Sequence, residues 1–316
     1  MAVSSDLFLA SCSLLVSLAL SVISDTAQAK NTFAGNPVRE IPPEESPYSA
    51  IGRLSVGCTG TLIAPRLVIT AAHCLSPLDR GESVPPVNGK SESIGFFTAN
   101  QRQDHRAGMS QFKSEITSFI IASGYWMLAR ETDYAFATLK DPLGFKYGTL
   151  KVAPTDHTLN AKNMRTVGYP GDLDKALNPR LSTLCSLRSE TKVKDTLFVD
   201  CDTSRGNSGG PVLNKENQIV AIVRGEERDG DVSQHNVVYQ KGTRNTLTPS
   251  DLFLKVAAPL ILADQMARKT ELEADFRKWN QSLSEAPQEL RAPIIKRIAE
   301  IVAEQAWLKK EMAEIN

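Results

Sequence analysis

The sequence predicts an all-β fold, a barrel or sandwich, carrying a helical extension at its C-terminal end. Two observations carry that expectation. From Tyr48 to the 240s, short apolar or alternating runs recur between clusters of Gly, Pro, Asn and Asp, the texture of many short strands joined by turns. After about Thr248 the apolar period changes from two to about three and a half, which is helical.

Taken in order, residues 1–29 read as an export signal. Leu7 to Ile23 is rich in Leu, Val, Ala and Ser, and Ala27-Gln28-Ala29 supplies a small-x-small cleavage pattern, so the mature chain would begin near Lys30. No Lys or Arg precedes the apolar run, and Asp6 stands where positive charge is usual. A retained anchor is the alternative, at the short limit for a span; Leu9-Ala10-Ser11-Cys12 resembles a lipoprotein box, but the apolar run continues beyond it. Residues 30–47 hold Pro37, Pro42, Pro43 and Pro47 and little apolar content, which fits an extended lead-in or a removable pro-segment.

Residues 48–262 form the expected strand-rich domain. Its strands are read at Ser49–Leu54, Gly60–Ala64, Leu67–Thr70, Asp133–Leu139, Met164–Gly168, Leu181–Leu187, Thr196–Asp200, Ile219–Val223 and Asn236–Tyr239. The polar stretch Ser76–Gly95, with Pro77, Pro85 and Pro86, reads as a surface insertion. Residues 263–316 form the extension, where Leu272, Phe276, Trp279 and Leu283 share one helix face and Ile294, Ile298, Ile301, Leu308 and Met312 share another. Ser284-Glu285-Ala286-Pro287 breaks the two apart, so a hairpin of amphipathic helices is expected. Docking onto the strand-rich domain, self-association and attachment to a membrane surface are its three readings. Acidic residues match basic ones there, which works against the last.

Composition narrows the partners. Lys+Arg 36 balance Asp+Glu 36, and 41% hydrophobic with 23% charged residues describes a globular chain. A formal net charge of zero leaves no whole-molecule field to gather nucleic acid or anionic lipid, so nucleic acid is not an expected partner. Of 5 cysteines, Cys12 leaves with the signal. The remaining Cys58, Cys74, Cys185 and Cys201 imply two disulfides in an exported chain, with three connectivities open from number alone. Their spacing suggests Cys58 with Cys74 and Cys185 with Cys201. Without C-x-x-C or H-x-x-x-H spacing, no metal site is expected.

Three segments carry the chemistry: Thr70-Ala71-Ala72-His73-Cys74 after a strand, Asp133-Tyr134-Ala135-Phe136-Ala137 opening another, and Gly206-Asn207-Ser208-Gly209-Gly210-Pro211 on a glycine-rich turn. A hydroxyl is a poor nucleophile at neutral pH. It needs an imidazole to take its proton and a buried carboxylate to fix that imidazole's tautomer. Glycines beside Ser208 let the turn aim the N–H groups of Gly206 and Ser208 at one point, an oxyanion hole.

Together these segments resemble the trypsin-like serine peptidases, in whose chain order His73, Asp133 and Ser208 occur. Pro47 to Leu54, Cys58-Thr59-Gly60-Thr61-Leu62-Ile63-Ala64-Pro65 and Val167-Gly168-Tyr169-Pro170 resemble the bacterial branch that includes the V8-type glutamyl endopeptidases. The resemblance implies two six-stranded antiparallel barrels, with His73 and Asp133 from the first and Ser208 from the second. It also implies peptide or protein substrates, no cofactor, and a periplasmic or secreted location without stable membrane insertion once the signal is gone. Where pancreatic enzymes carry an Asp before the nucleophile to pair with a new N-terminus, this chain has Asn207, so activation by such an ion pair is not expected.

Specificity has two openings. Asp202 lies six residues before Ser208, where trypsin-like enzymes place the carboxylate that binds Arg or Lys, although bacterial relatives also carry Cys-Asp-Thr with the Asp facing elsewhere. Val223 stands near where the glutamyl subgroup places a histidine, and Arg224 is a candidate receptor for an acidic side chain. His105, His157 and His235 read as surface residues. A homologue with a covered cleft or an unformed oxyanion hole, working by recognition, is the alternative of a different class.

Overall fold

The computed structural model describes residues 30–33, 38–41, 45–76, 88–89, 94–98, 114–126, 132–155, 162–171, 179–189, 197–226, 234–237 and 244–313. The expected export signal, Cys12, most of the insertion after Ser76, His105 and His157 lie outside the described residues.

Two short strands, β1 (Lys30–Phe33) and β2 (Val38–Glu40), come first. The first barrel follows as β3 (Ile51–Leu54), β4 (Cys58–Leu62), β5 (Leu67–Thr70), β6 (Asn88–Gly89), β7 (Gly95–Thr98), β8 (Ser114–Ile121) and β9 (Ala135–Leu139). Antiparallel pairing runs β3–β4–β5–β9–β8–β7 and returns to β3, which closes six strands into a barrel with β6 appended to β8. Ile51, Leu54, Leu62, Ile69, Phe96 and Phe136 fill it and are fully buried. Each such side chain stabilises by roughly 1.5–3 kcal/mol relative to exposure. One register matters for the site: Thr70 at the end of β5 pairs with Ala135 at the start of β9. The chain leaving toward His73 and the chain arriving from Asp133 therefore meet at one rim.

The second half contains β10 (Met164–Gly168), β11 (Arg180–Cys185), β12 (Leu187–Ser189), β13 (Leu197–Val199), β14 (Thr203–Ser204), β15 (Pro211–Leu213), β16 (Ile219–Glu226), β17 (Gln234–Val237) and β18 (Asn245–Pro249). Its main sheet has eight strands in the order β12-β13-β18-β16-β15-β10-β11-β2 and is open. The expectation of a second closed six-stranded barrel is corrected here. The free edge of β11 is taken by β2, which pairs with it antiparallel, so the edge is not available to close the ring. Ile41, just after β2, is 1% exposed in the core, so the proline-rich lead-in contributes a strand and a buried anchor. A smaller sheet joins β14, β1 and β17.

Residues 149–155 strap the two halves together. Leu150 N donates to Leu62 O at 2.9 Å on the first barrel, and Ile219 N donates to Lys151 O at 2.8 Å from the second sheet. The short helices α1 (Ala72–Leu75), α2 (Ser123–Trp126) and α3 (Gly144–Tyr147) serve the first barrel, while α4 (Leu254–Glu285) and α5 (Arg291–Ala313) form the C-terminal hairpin. All-β is thus an approximation, and α4 begins at Leu254, soon after the change of period at about Thr248 and within the 48–262 bounds expected for the strand-rich domain. Leu272, Ile301 and Leu308 are buried between the helices, with Phe276, Trp279, Trp307 and Met312 packed around them. The hairpin docks on the first barrel: Arg66 N donates to Asp264 Oδ2 at 2.8 Å, Thr149 Oγ1 to Glu311 Oε2 at 3.0 Å, and Phe145 meets the Trp307 ring edge-on at 5.8 Å.

Candidate active site

His73 sits in α1, the single turn that follows β5, and Asp133 sits immediately before β9. The common rim brings them into contact. His73 Nδ1 lies 2.7 Å from Asp133 Oδ2, and the His73 backbone N–H donates to Asp133 Oδ1 at 2.9 Å. Asp133 is 5% exposed, whereas the His73 side chain keeps 31% of its surface. One carboxylate therefore fixes both the backbone and the ring of His73, leaving Nε2 as the ring nitrogen outside this pair. Asp133 is itself held from the second half, since Thr248 Oγ1 on β18 donates to its carbonyl at 3.2 Å. Next to it, Tyr134 packs against Phe253 with centroids 5.6 Å apart, and burial raises the Tyr134 phenol above its usual range.

Ser208 lies on the turn between β14 and β15. Gly206 has φ +101° and Gly209 φ +79°, a region L side chains rarely adopt. Space forbids a side chain as firmly as the dihedral does: a Cβ on Gly206 would stand 2.2 Å from Tyr169 O, and one on Gly209 would stand 2.2 Å from Thr70 Oγ1. The turn packs against the His73 segment, with Cys74 Sγ 3.9 Å from the Ser208 carbonyl oxygen. Two disulfides brace the two sides. Cys58–Cys74 ties β4 to α1 beside His73, and Cys185–Cys201 ties the end of β11 to the chain entering β14, so both pairs are those the spacing suggested.

The candidate specificity residues divide. Asp202 is half-buried, and its N–H donates to Ser182 Oγ at 3.0 Å. Val223 is 2% exposed and belongs to the apolar core of the second sheet with Met164, Val212 and Leu247. What it gives the site is backbone: Gly209 N donates to Val223 O, and Val223 N to Gly210 O, each at 2.8 Å. Arg224 is half-buried with Nε 3.4 Å from Thr246 Oγ1. His235 falls in β17. Asn207, 6% exposed, crowds Gly168, where a Cβ would meet its side chain at 2.8 Å.

Sequence reasoning missed Thr59, Tyr169 and Thr248, which hold the site without touching its reacting atoms. Thr59 lies inside the quoted Cys58-Thr59-Gly60 segment, but a threonine in a strand has no pattern that marks it as a hydrogen-bond donor. The cluster of Cys58, His73 and Cys74 has metal-ligand atom types close together, yet both sulfurs are spent in the disulfide.

A closed six-stranded barrel beside an open sheet, with a His–Asp pair at the junction, defines a strand-rich chymotrypsin-like fold. The chain belongs to the family described as trypsin-like peptidase domain, whose profile matches residues 58–222, just over half its length. It is 26% identical to Serine protease 23 of Rattus norvegicus over 208 residues, covering 57% of this chain and 51% of that protein. It is 28% identical to Glutamyl endopeptidase of Bacillus licheniformis over 178 residues, covering 54% and 50%. Inactive serine protease 35 of Mus musculus is 25% identical over 234 residues, covering 57% and 56%. The chain spans about half the length of these curated relatives. Among solved structures, Glu endopeptidase in complex with MPD shares the fold, with TM-score 0.53, 21% identity, and coverage of 73% of this chain and 99% of that one.

Proposed function

We propose that the chain is an exported serine endopeptidase that cuts peptide bonds through an acyl-enzyme on Ser208. His73 Nε2 takes the Ser208 proton as the hydroxyl attacks and returns it to the leaving amine. Asp133 holds the imidazole in the tautomer that keeps Nε2 an acceptor and stabilises the imidazolium that forms. The N–H groups of Gly206 and Ser208 receive the oxyanion of the tetrahedral intermediate. Water then attacks the acyl-enzyme with His73 again as base. These steps require no metal or cofactor.

The observation that carries the proposal is the double hold of Asp133 on His73, beside a turn whose glycines can be nothing else. Export is supported by two disulfides, which persist in oxidising compartments such as the periplasm or the external medium. No described helix is long and apolar enough to cross a membrane. Asp202 gives a preference for a basic residue N-terminal to the scissile bond, and Arg224 is the rival cue for an acidic one. Exposed Ile295 and Val302 on α5 offer an apolar edge for self-association, which a concentration-independent monomer mass in sedimentation would discard.

Labelling with a fluorophosphonate beside a Ser208→Ala control tests the chemistry, and a peptide library tests the preference. An adduct on Ser208 is expected, with none in the variant; cleavage that persists unchanged in Ser208→Ala would overturn the proposal. The similarity to a protein named inactive favours a second reading, a latent or recognition homologue, which a folded, disulfide-intact and unreactive protein would establish.

A further inference from the structure

We propose that Thr59 is a positioning residue for the Ser208 turn, holding the oxyanion donors in place from the opposite side of the cleft. The inference rests on the serine-peptidase reading and adds a residue which that reading leaves without a role. Thr59 lies on β4 of the first barrel and is fully buried.

All three of its polar atoms are engaged, two of them across the cleft. Thr59 N donates to Ser208 O at 2.8 Å, and Thr59 Oγ1 donates to Gly206 O at 2.7 Å. Tyr169 N donates to the same Oγ1 at 3.0 Å, and Thr70 Oγ1 donates to Thr59 O at 2.7 Å. The direction of the hydroxyl is not a free choice. A backbone N–H can only donate, so Tyr169 occupies an acceptor position of Oγ1 and the Thr59 proton is left to face the Gly206 carbonyl.

A peptide unit is rigid, so fixing its carbonyl also fixes the N–H of the next residue. Four consecutive carbonyls of the turn are held. Arg205 O accepts from Gly171 N at 2.7 Å, Gly206 O from the Thr59 hydroxyl, Asn207 O from Gly210 N at 2.8 Å, and Ser208 O from Thr59 N. The oxyanion donors are the N–H of Gly206, on the first of these units, and the N–H of Ser208, on the third. Thr59 pins the units that follow each donor, and its hydroxyl is the one side chain in the set. The other end of Thr59 is fixed to the base: Cys58 is joined to Cys74 beside His73, and Thr70 leads through Ala71 and Ala72 to His73. The residue therefore couples the position of the base to that of the oxyanion donors.

Removing the hydroxyl strands both Gly206 O and Tyr169 N in a buried setting, and the turn must rotate to find new partners. Thr59→Val, which keeps the shape, is expected to lower kcat on a peptide amide by about 10²-fold with KM changed less than about threefold, the signature of a lost transition-state contact. Thr59→Ser keeps the donor and is expected to return kcat to within about threefold of the parent.

The parent is first labelled with a fluorophosphonate. If it is folded and unreactive, the serine-peptidase reading fails and this inference falls with it. If the parent reacts and Thr59→Val keeps its kcat, the positioning role alone is overturned. Equal losses in Thr59→Val and Thr59→Ser also overturn it, because the methyl rather than the hydroxyl would then matter. Should Thr59→Val fail to fold, Thr59→Ala takes its place against Thr59→Ser; failure of Thr59→Val and Thr59→Ala alike to fold, with Thr59→Ser folded, would make the hydroxyl purely structural and end the proposal.

Discussion

Arg268 and Glu304 face each other across the helical hairpin through two bonds, Nε to Oε1 at 2.7 Å and Nη2 to Oε2 at 2.8 Å. Their side chains are 9% and 10% exposed. Arg268 also donates to Glu271, which in turn accepts from Arg66 on the first barrel, so the pair lies where the hairpin meets the body. Losing one partner leaves a buried charge uncompensated. Arg268→Met is expected to cost about 3–5 kcal/mol, and the Arg268→Met, Glu304→Met double variant to recover most of it. Denaturant unfolding followed by the emission of Trp279 and Trp307 reads this out, and a single variant as stable as the parent would contradict it.

The dependence of stability on pH should show a contribution of opposite sign to the usual carboxylate. Burial holds the Asp264 carboxyl above its ordinary range, opposed by the hydrogen bond from Arg66 N. With the folded value raised, the native state binds the proton more tightly than the unfolded chain does. Stability from this group is then complete below its unfolded value, near pH 4, and is lost as pH rises through the folded one. Asp264→Asn is expected to be more stable than the parent at pH 7, with the difference closing in acid. Paired denaturation curves at pH 7 and below pH 4 would show the gap, and a variant less stable at pH 7 alone would refute it.

Cys58 and Cys74 close a loop with a sequence separation of 16 around β4, β5 and α1. Replacing both by Ala is expected to cost roughly 3 kcal/mol through the freedom returned to the unfolded chain. Thermal unfolding of the oxidised parent and the double variant, both kept free of reductant so that Cys185–Cys201 stays closed, measures it.

Asp133→Asn leaves a group of the same size but presents N–H₂ to one of the two His73 donors that Asp133 now accepts. The ring is driven to the tautomer whose Nε2 carries a proton. A loss in kcat on the order of 10⁴ is expected, with the fold retained. A variant within tenfold of the parent in peptide hydrolysis or in fluorophosphonate labelling would remove Asp133 from the mechanism.

Legibility in the sequence followed the side chains. Leu67–Thr70 and Met164–Gly168 appear as strands with the expected bounds because apolar residues lie between turn signals on both sides. The facing apolar rows of the two C-terminal helices, Leu272 with Ile301 and Leu308, are likewise where the period put them. β8 was readable in principle, since Ile116, Phe119 and Ile121 are buried while Glu115, Thr117 and Ser118 are exposed, but the irregular step at its centre breaks a strict alternation. β18 was not readable. Asn245, Thr246 and Thr248 look like turn residues, yet all are buried, because Asn245 Nδ2 donates to Cys201 O and Thr248 Oγ1 to Asp133 O. Polar side chains satisfied by distant carbonyls carry no local signature. For the same reason His73, Asp133 and Ser208 stood out by motif, whereas Thr59, whose hydroxyl finds its acceptor 147 positions away, did not.

The hold of Thr248 on Asp133 also sets an order of events during synthesis. Every residue of the His–Asp–Ser set has left the ribosome well before β18, but β18 is an inner strand of the second sheet and carries the hydroxyl that reaches back 115 positions to Asp133. A nascent chain ending before residue 245 owns the full chemical inventory and lacks the strand that assembles it. The carbonyl of Asp133 thereby gains its Thr248 partner only when nearly the whole strand-rich domain has emerged, so the last inner strand of the second sheet completes the His–Asp rim of the first barrel.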